Sequence, residues 1–237
     1  MNEFTVILPV YILNNDLLTL TTNAIQSFGK VNLIVVDNAS PIGGGYLRSV
    51  ADVYIRNKEN LGYAKAVNQG LKLAKSEFIA IANNDVKVST NWQEVAKEVF
   101  AQNDNIYSCH FRMTDYDIPF AYGDKIAVGG MERWCTSSFF VIESWKPQLY
   151  DENYFNSYDD WDYHKRVRES GLKQAYTNKA CYQHKHSTTQ LLIPDREENN
   201  QRNREYFKTK WGEYAEDLFA QEFPDQMKED YQKGFDL

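Results

Sequence analysis

What most constrains this chain is an alternation in its first half: short apolar segments rich in strand formers, separated by helix-length amphipathic ones. Phe4–Val10 reads FTVILPV, apolar at successive positions, as a strand buried on both faces of a parallel sheet must be. Residues 14–28 then place Leu17, Leu20, Ala24 and Phe28 near three-to-four spacing, a helical pattern. Residues 31–36 (VNLIVV) and 52–56 read as the next strands. Residues 63–75 read as a helix with Ala64, Val67, Leu71 and Ala74 on one face. A fourth strand spans 77–82 (EFIAIA), another helix 92–102 and another strand 106–112. Strands joined by helices of this length call for βαβ crossovers and a mainly parallel sheet. Such sheets hold ligands at the carboxyl ends of their strands. Here the loops that follow the strands carry Asp37-Asn38, Asn60-Leu61-Gly62 and Asn83-Asn84-Asp85, so polar chemistry gathers along one rim.

The second half is less regular. Residues 113–133 are rich in Gly, Asp and Tyr, and residues 136–142 (TSSFFVI) read as a strand. A helix is expected over 159–170, stopped by Gly171. Strand-like pieces follow at 173–176 and 180–184, then a helix over about residues 197–210. With 237 residues, 43% hydrophobic and 25% charged, the chain can bury a sizeable core, and no linker or repeat divides it. The expected organisation is one α/β domain over 1–212 followed by an acidic helical extension over 213–237. That extension holds eight acids and two lysines, nearly all of the net charge of −7, and its plain reading is a solvated helical face.

The remaining body is close to neutral, which argues against wrapping nucleic acid through bulk charge. No apolar run approaches the ~20 residues of a membrane span, and Met1-Asn2-Glu3 lacks the basic, then apolar, start of a secretory leader. Cys109, Cys135 and Cys181 are odd in number and form no CxxC pattern, so they read as reduced thiols. A soluble, cytoplasmic protein is expected, in which the sequon Asn38-Ala39-Ser40 is irrelevant.

Several residues could carry chemistry. Asp85, just after a strand, can offer oxygen to a hard divalent cation, and a carboxylate with an imidazole such as His184 suits Mn²⁺. On spacing alone, a helix cap for Asp85 and a hydrogen-bonded loop histidine for His184 are the commoner roles. Asp159-Asp160-Trp161-Asp162 opens a helix, where acids are favoured by the dipole, or alternatively aims one carboxylate into a cleft as a general base. Helical residues step by about 100°, so Asp160 and Asp162 cannot both face the same point. Asn60-Leu61-Gly62 before a helix reads either as a turn and cap or as a place where free amides meet a phosphate.

Taken in order, the motifs resemble family 2 glycosyltransferases of the GT-A fold, especially the rhamnosyltransferase-like branch. The matching pieces are TVILPVY (5–11), VVDNAS (35–40), NLGYAKAVNQG (60–70), NNDV (83–86), DENYF (151–155), DDWDYHKR (159–166), His184-x-x-Ser187 and RNREYFKTKWG (202–212). The resemblance implies a Rossmann-like, mixed but mainly parallel sheet flanked by helices. It implies that Asp37 reads the nucleotide base, with Pro9 and Tyr11 lining its pocket. Asn38, Asn60, Gly62 and Lys65 would lie near the nucleotide or diphosphate, and Asn84 near the ribose or sugar. Asp85, the last acid of the family's DxD, and His184 would hold Mn²⁺ or Mg²⁺, with no organic cofactor. Asp160 would be the catalytic base, and Asp159 and Trp161 would line the acceptor side. Two departures stand out: the DxD is reduced to Asn83-Asn84-Asp85, and Asp159 replaces the usual Glu.

The implied activity is inverting transfer of a hexose from a nucleotide sugar, UDP-glucose or another UDP-hexose, to a hydroxyl of a saccharide or lipid-linked glycan. A dTDP-rhamnose donor and a catalytically weak nucleotide-sugar-binding module are the alternatives. Nucleotidyl transfer is disfavoured, because the Gly-rich basic loop used against a triphosphate is missing. Oligomeric state is not legible.

Overall fold

A computed structural model describes residues 2–102, 104–116, 118–129, 138–145, 148–185 and 188–222. Cys135, Ser187 and residues 223–237 of the acidic extension lie outside the described residues. Nine strands form one sheet: β1 (Phe4–Val10), β2 (Asn32–Asp37), β3 (Val53–Arg56), β4 (Phe78–Ala82), β5 (Val86–Val88), β6 (Ile106–Asp115), β7 (Ile126–Gly129), β8 (Phe139–Glu143) and β9 (Lys173–His184). Among the described residues seven α-helices accompany them: α1 (Asn15–Ser27), α2 (Gly44–Val50), α3 (Tyr63–Leu71), α4 (Trp92–Phe100), α5 (Asp159–Glu169), α6 (Arg196–Trp211) and α7 (Ala215–Glu222). The order across the sheet is β3-β2-β1-β4-β8-β6-β9-β5, with β7 also on β9. β3, β2, β1 and β4 run parallel, and β8 is antiparallel to both of its neighbours. The parallel, helix-flanked half is what the alternation predicts, and the mixed sheet as a whole is what the resemblance implies.

Side chains alternate across the sheet, as a pleat requires. Val6, Leu8 and Val10 of β1 join Leu17, Ala24 and Phe28 of α1 and Trp92, Val95 and Val99 of α4 in one core. Ile7 faces the other way, with Ala64, Val67 and Leu71 of α3 and Tyr163 and Val167 of α5. α3 lies very close to β1, since a Cβ on Gly70 would stand 2.4 Å from Ile7 Cγ2. α1 starts where its sequence says it should: Asn14 accepts a hydrogen bond from the Leu17 amide at 2.9 Å.

Some boundaries differ from the sequence expectation. The pieces at 173–176 and 180–184 are one strand, β9, which takes β7 along its first part and β5 along its second. α3 stops at Leu71, where the Leu73 amide tightens onto the Gly70 carbonyl three residues back. α2, β5 and β7 were not foreseen. α2 opens on two glycines, which are poor helix formers, and the two strands are too short to show periodicity. α7 packs onto α6, burying Ala215 and Leu218 beside Tyr154 and Phe207. No helix among the described residues is long and apolar enough to cross a membrane.

Candidate active site

Beyond the carboxyl ends of β1, β2 and β4 lies a cavity of about 240 Å³. Its position follows from the topology, because the polar residues that end these parallel strands all fall on one rim. Pro9 and Tyr11 come from β1 and the residue after it, Asn38 from the residue after β2, and Asn60 and Tyr63 from the approach to α3. Asn83, Asn84 and Asp85 follow β4, and Asp159 and Asp160 begin α5.

Asp85 and His184 are brought together by a β-ladder. β5 pairs antiparallel with β9 and aligns Val86 with His184, so the residue before Val86 meets the imidazole. Asp85 Oδ1 lies 3.1 Å from His184 Nε2, and the Lys185 amide donates to the Asp85 carbonyl at 3.0 Å. The other ring nitrogen, Nδ1, is 3.2 Å from Ser138 Oγ, which fixes the ring's orientation. Ser138 also lines the cavity. Among the described residues no three His, Cys, Asp or Glu side chains gather in a group that could hold an ion. Asp85 and His184 form a two-residue pair of carboxylate oxygen and imidazole nitrogen on this wall.

The acids of α5 divide as helical geometry demands. Asp159 and Asp160 line the cavity. Asp162 points to the opposite side, where Arg166 Nε, Lys210 Nζ and Trp211 Nε1 approach within 2.7, 2.6 and 2.9 Å. The Asp160 amide donates to Asp159 Oδ1 at 3.0 Å, and the Trp161 amide to Asp160 Oδ1 at 2.9 Å. Asp159 is buried, and its Oδ2 has no hydrogen-bond partner among the described residues. Burial, reinforced by the charge of Asp160, pushes Asp159 up to about 8. Asp160 is likewise raised by burial, against the opposing effect of the amides bonded to it. Burial first, then the Asp159, Asp160 and Asp85 charges, hold the Tyr63 phenol well above its ordinary range.

The turn that delivers these acids is strained. Asn156 and Tyr158 both adopt left-handed backbone, with φ of 58° and 63°, at a cost of roughly 1–3 kcal/mol each. Two residues hold it. Asn156 Oδ1 accepts from the Tyr63 amide at 2.8 Å, tying the turn to the start of α3. Asn203 of α6, buried, donates through Nδ2 to the Phe155 carbonyl at 2.9 Å, the Ser157 carbonyl at 3.1 Å and Ser157 Oγ at 2.8 Å.

Of the residues singled out from sequence, Pro9, Tyr11, Asn38, Asn60, Asn84, Asp85, Asp159, Asp160 and His184 share this cavity wall. Asp37, Gly62, Lys65 and Trp161 do not. Asp37 is fully buried, with Oδ1 accepting from the Ser40 amide at 2.7 Å and Oδ2 held by Tyr54 at 2.6 Å and by Arg56. A buried carboxylate needs such pairing, and it is Asn38, one residue on, that reaches the cavity. Gly62 sits beneath Phe155: with φ of 85°, it leaves space that a Cβ would close to 2.8 Å from the ring. Lys65 stands half-buried one turn into α3. Trp161 packs with Tyr154 and Phe207 against α6. Sequence reasoning missed Ser138, Asn156, Thr189 and Ile193 as wall residues. None belongs to a motif with a chemical signature, although an asparagine in left-handed backbone is a known preference.

Residues 5–179 match the family described as Glycosyl transferase family 2. The chain belongs to glycosyl transferase family 2. Solved structures share the GT-A fold. S. aureus TarS 1–349 in complex with UDP superposes with a TM-score of 0.62 at 11% identity, covering 97% of this chain and 78% of that one. TarS 1–349 in complex with UDP-GlcNAc gives 0.58 at 13% identity, covering 76% and 57%. GalNAc-T7 with UDP, GalNAc and Mn²⁺ gives 0.59 at 14%, covering 76% and 43%. This family 2 chain thus spans less than two thirds of the chain in the latter two comparisons. No curated protein matches it.

Proposed function

We propose that this family 2 chain transfers a hexose from a UDP-hexose, such as UDP-glucose, to an acceptor hydroxyl with inversion at the anomeric carbon. The observation that carries the reading is that Asp85, His184 and Asp160, from three separate stretches of chain, line one cavity. UDP as the nucleotide is supported by the TarS and GalNAc-T7 complexes that share the fold.

The donor set fits a divalent cation, Mn²⁺ or Mg²⁺: one carboxylate oxygen and one imidazole nitrogen meet on a polar wall, with Ser138 orienting the imidazole. When bound, such an ion supplies positive charge to the departing diphosphate. Asp160 takes the proton of the acceptor hydroxyl. Its Oδ1 is held by the Trp161 amide, which leaves Oδ2 for the hydroxyl. A base placed across the sugar from the leaving group gives attack from the opposite face, hence inversion. Asn38, Asn60 and Asn84 form the polar wall beside the nucleotide sugar, and Pro9 and Tyr11 present apolar surface. The catalytic unit is taken as residues 1–212.

A panel of nucleotide sugars incubated with Mn²⁺, with free diphosphate as the readout, tests the donor. UDP should be released from a UDP-hexose, and preference for dTDP-rhamnose would replace that donor. Asp160→Asn should lose about 10²-fold or more in transfer while nucleotide affinity is kept. Near-normal turnover in that variant would remove Asp160 from the role. The single carboxylate left in Asn83-Asn84-Asp85 favours one second reading, a binding module. In that case a nucleotide sugar binds and is never cleaved.

A further inference from the structure

Beside the cavity lies a shallow cleft lined by Phe155, Asn156, Ile193, Arg196, Asn199 and Asn200. Asn156 and Ile193 line both, so the two spaces adjoin across that wall. Arg196, Asn199 and Asn200 stand at i, i+3 and i+4, on one face of α6. Asn203, one turn further along the same face, is the residue that ties down the turn before Asp159.

The first two turns of α6 read REENNQRN, with no apolar residue. Where this face lines the cleft it carries two amides and a guanidinium rather than the Leu or Val of a packed helix face, and Arg196 is exposed. The side chains of Arg196, Asn199 and Asn200 make no hydrogen bond or ion pair among the described residues. Asn199 and Asn200 are half-buried, with amides open to a hydrogen-bonding ligand.

A side-chain amide offers a donor and an acceptor in one plane, which suits neighbouring hydroxyls. Arg196 adds further donors, while Phe155 and Ile193 give apolar surface for the C–H face of a ring. Two apolar residues among six offer little to an acyl chain. We propose that this cleft is a second acceptor subsite, and that the acceptor is a saccharide of two or more rings. Its terminal sugar enters the cavity beside Asp160, and its next ring lies against Phe155, Asn199 and Asn200. The inference rests on the transferase reading above.

The test uses the full chain with UDP and Mn²⁺ on an array of immobilised mono-, di- and trisaccharides and short peptides. A di- or trisaccharide should be retained about tenfold more than its terminal monosaccharide, as one or two added hydrogen bonds provide. Asn199→Ala combined with Asn200→Ala should bring retention down to the monosaccharide level, with UDP affinity by calorimetry within about twofold of wild type. These side chains make no hydrogen bond among the described residues, so the double variant should also melt with wild type. Equal retention of mono- and disaccharides, retention unmoved by the double substitution, or retention of peptides alone would each overturn the subsite. So would a chain that binds UDP and retains no saccharide. Failure of wild type to bind UDP would instead strike the donor reading, and the subsite with it.

Discussion

Asp159 and Asp160 occupy adjacent positions in the first turn of α5, and what separates their roles is what surrounds each oxygen. Asp159 is buried with Oδ2 unpartnered among the described residues, while Asp160 is half-buried on the cavity wall. Burial, then the neighbouring Asp160 charge, pushes Asp159 up to about 8, whereas an aspartate of the unfolded chain titrates at about 4. The folded state therefore holds its proton over a range where the unfolded state has lost it. Stability is unpenalised below about pH 4 and falls as pH rises toward 8. Tyr63 and Tyr150, which also feel both carboxylates, stay protonated through this range because burial raises them too. Asp159→Asn keeps the shape and removes the ionisation. Its melting temperature should match wild type near pH 4 and exceed it by a growing margin up to pH 8. Thermal melts across that interval check this, and parallel curves would show that no buried Asp159 titrates there. At this scale the sequence was half legible. Residue types such as Asp160 and His184 announce chemistry, but Asp37 shows that a carboxylate on the right loop can be turned inward to Arg56 and Tyr54.

Among the elements, α6 departs most from its sequence appearance. Its polar composition reads as a solvated surface helix, yet it braces the catalytic turn. Asn203 satisfies two carbonyls and one hydroxyl of residues 155–157, directly before the left-handed Tyr158. No periodicity could reveal this, because one buried asparagine leaves no apolar stripe. Asn203→Asp retains the size and the acceptor for the Phe155 amide, but turns a carboxylate oxygen toward those carbonyls. The turn should relax and carry Asp160 out of line. We expect kcat to fall about tenfold or more, since displacement of roughly 1 Å can cost up to 10²-fold, with nucleotide affinity unchanged. Phe207→Leu supplies the comparison. It weakens the packing of α6, including its contact with the Tyr158 ring, by about 1–2 kcal/mol while keeping the Asn203 hydrogen bonds to the turn, and should leave kcat near wild type below its melting range. Equal losses of kcat in the two variants would mean that Asn203 acts through stability alone.

At the scale of the whole molecule, the alternating half was the legible half. Strands such as Phe4–Val10 are apolar at successive positions because helices cover both faces of the sheet, and that pattern is local. From β6 onward the sheet is mixed and its register depends on distant partners, so β9 looked like two pieces and β7 like loop. The family match ends at residue 179, before α6 and α7. Whether those helices belong to the same cooperative unit turns on Asp162. This carboxylate, fully buried, takes Arg166 from its own helix and Lys210 and Trp211 from α6. Asp162→Asn keeps the shape, strips the counter-charge from Arg166 and leaves Lys210 with Asp151 alone, each cation being about a quarter exposed. Breaking one side of a buried ion pair costs about 3 kcal/mol or somewhat more. The partial exposure of both cations keeps the expected value near that lower figure. If α6 folds with the sheet, urea unfolding of the variant should remain a single transition with a lower midpoint and an unchanged m-value, since the surface exposed is the same. A second, earlier transition, or a fall in m at unchanged main midpoint, would show that α6 detaches by itself. The segment bearing Asp160 would then be braced by an element less stable than the sheet it serves.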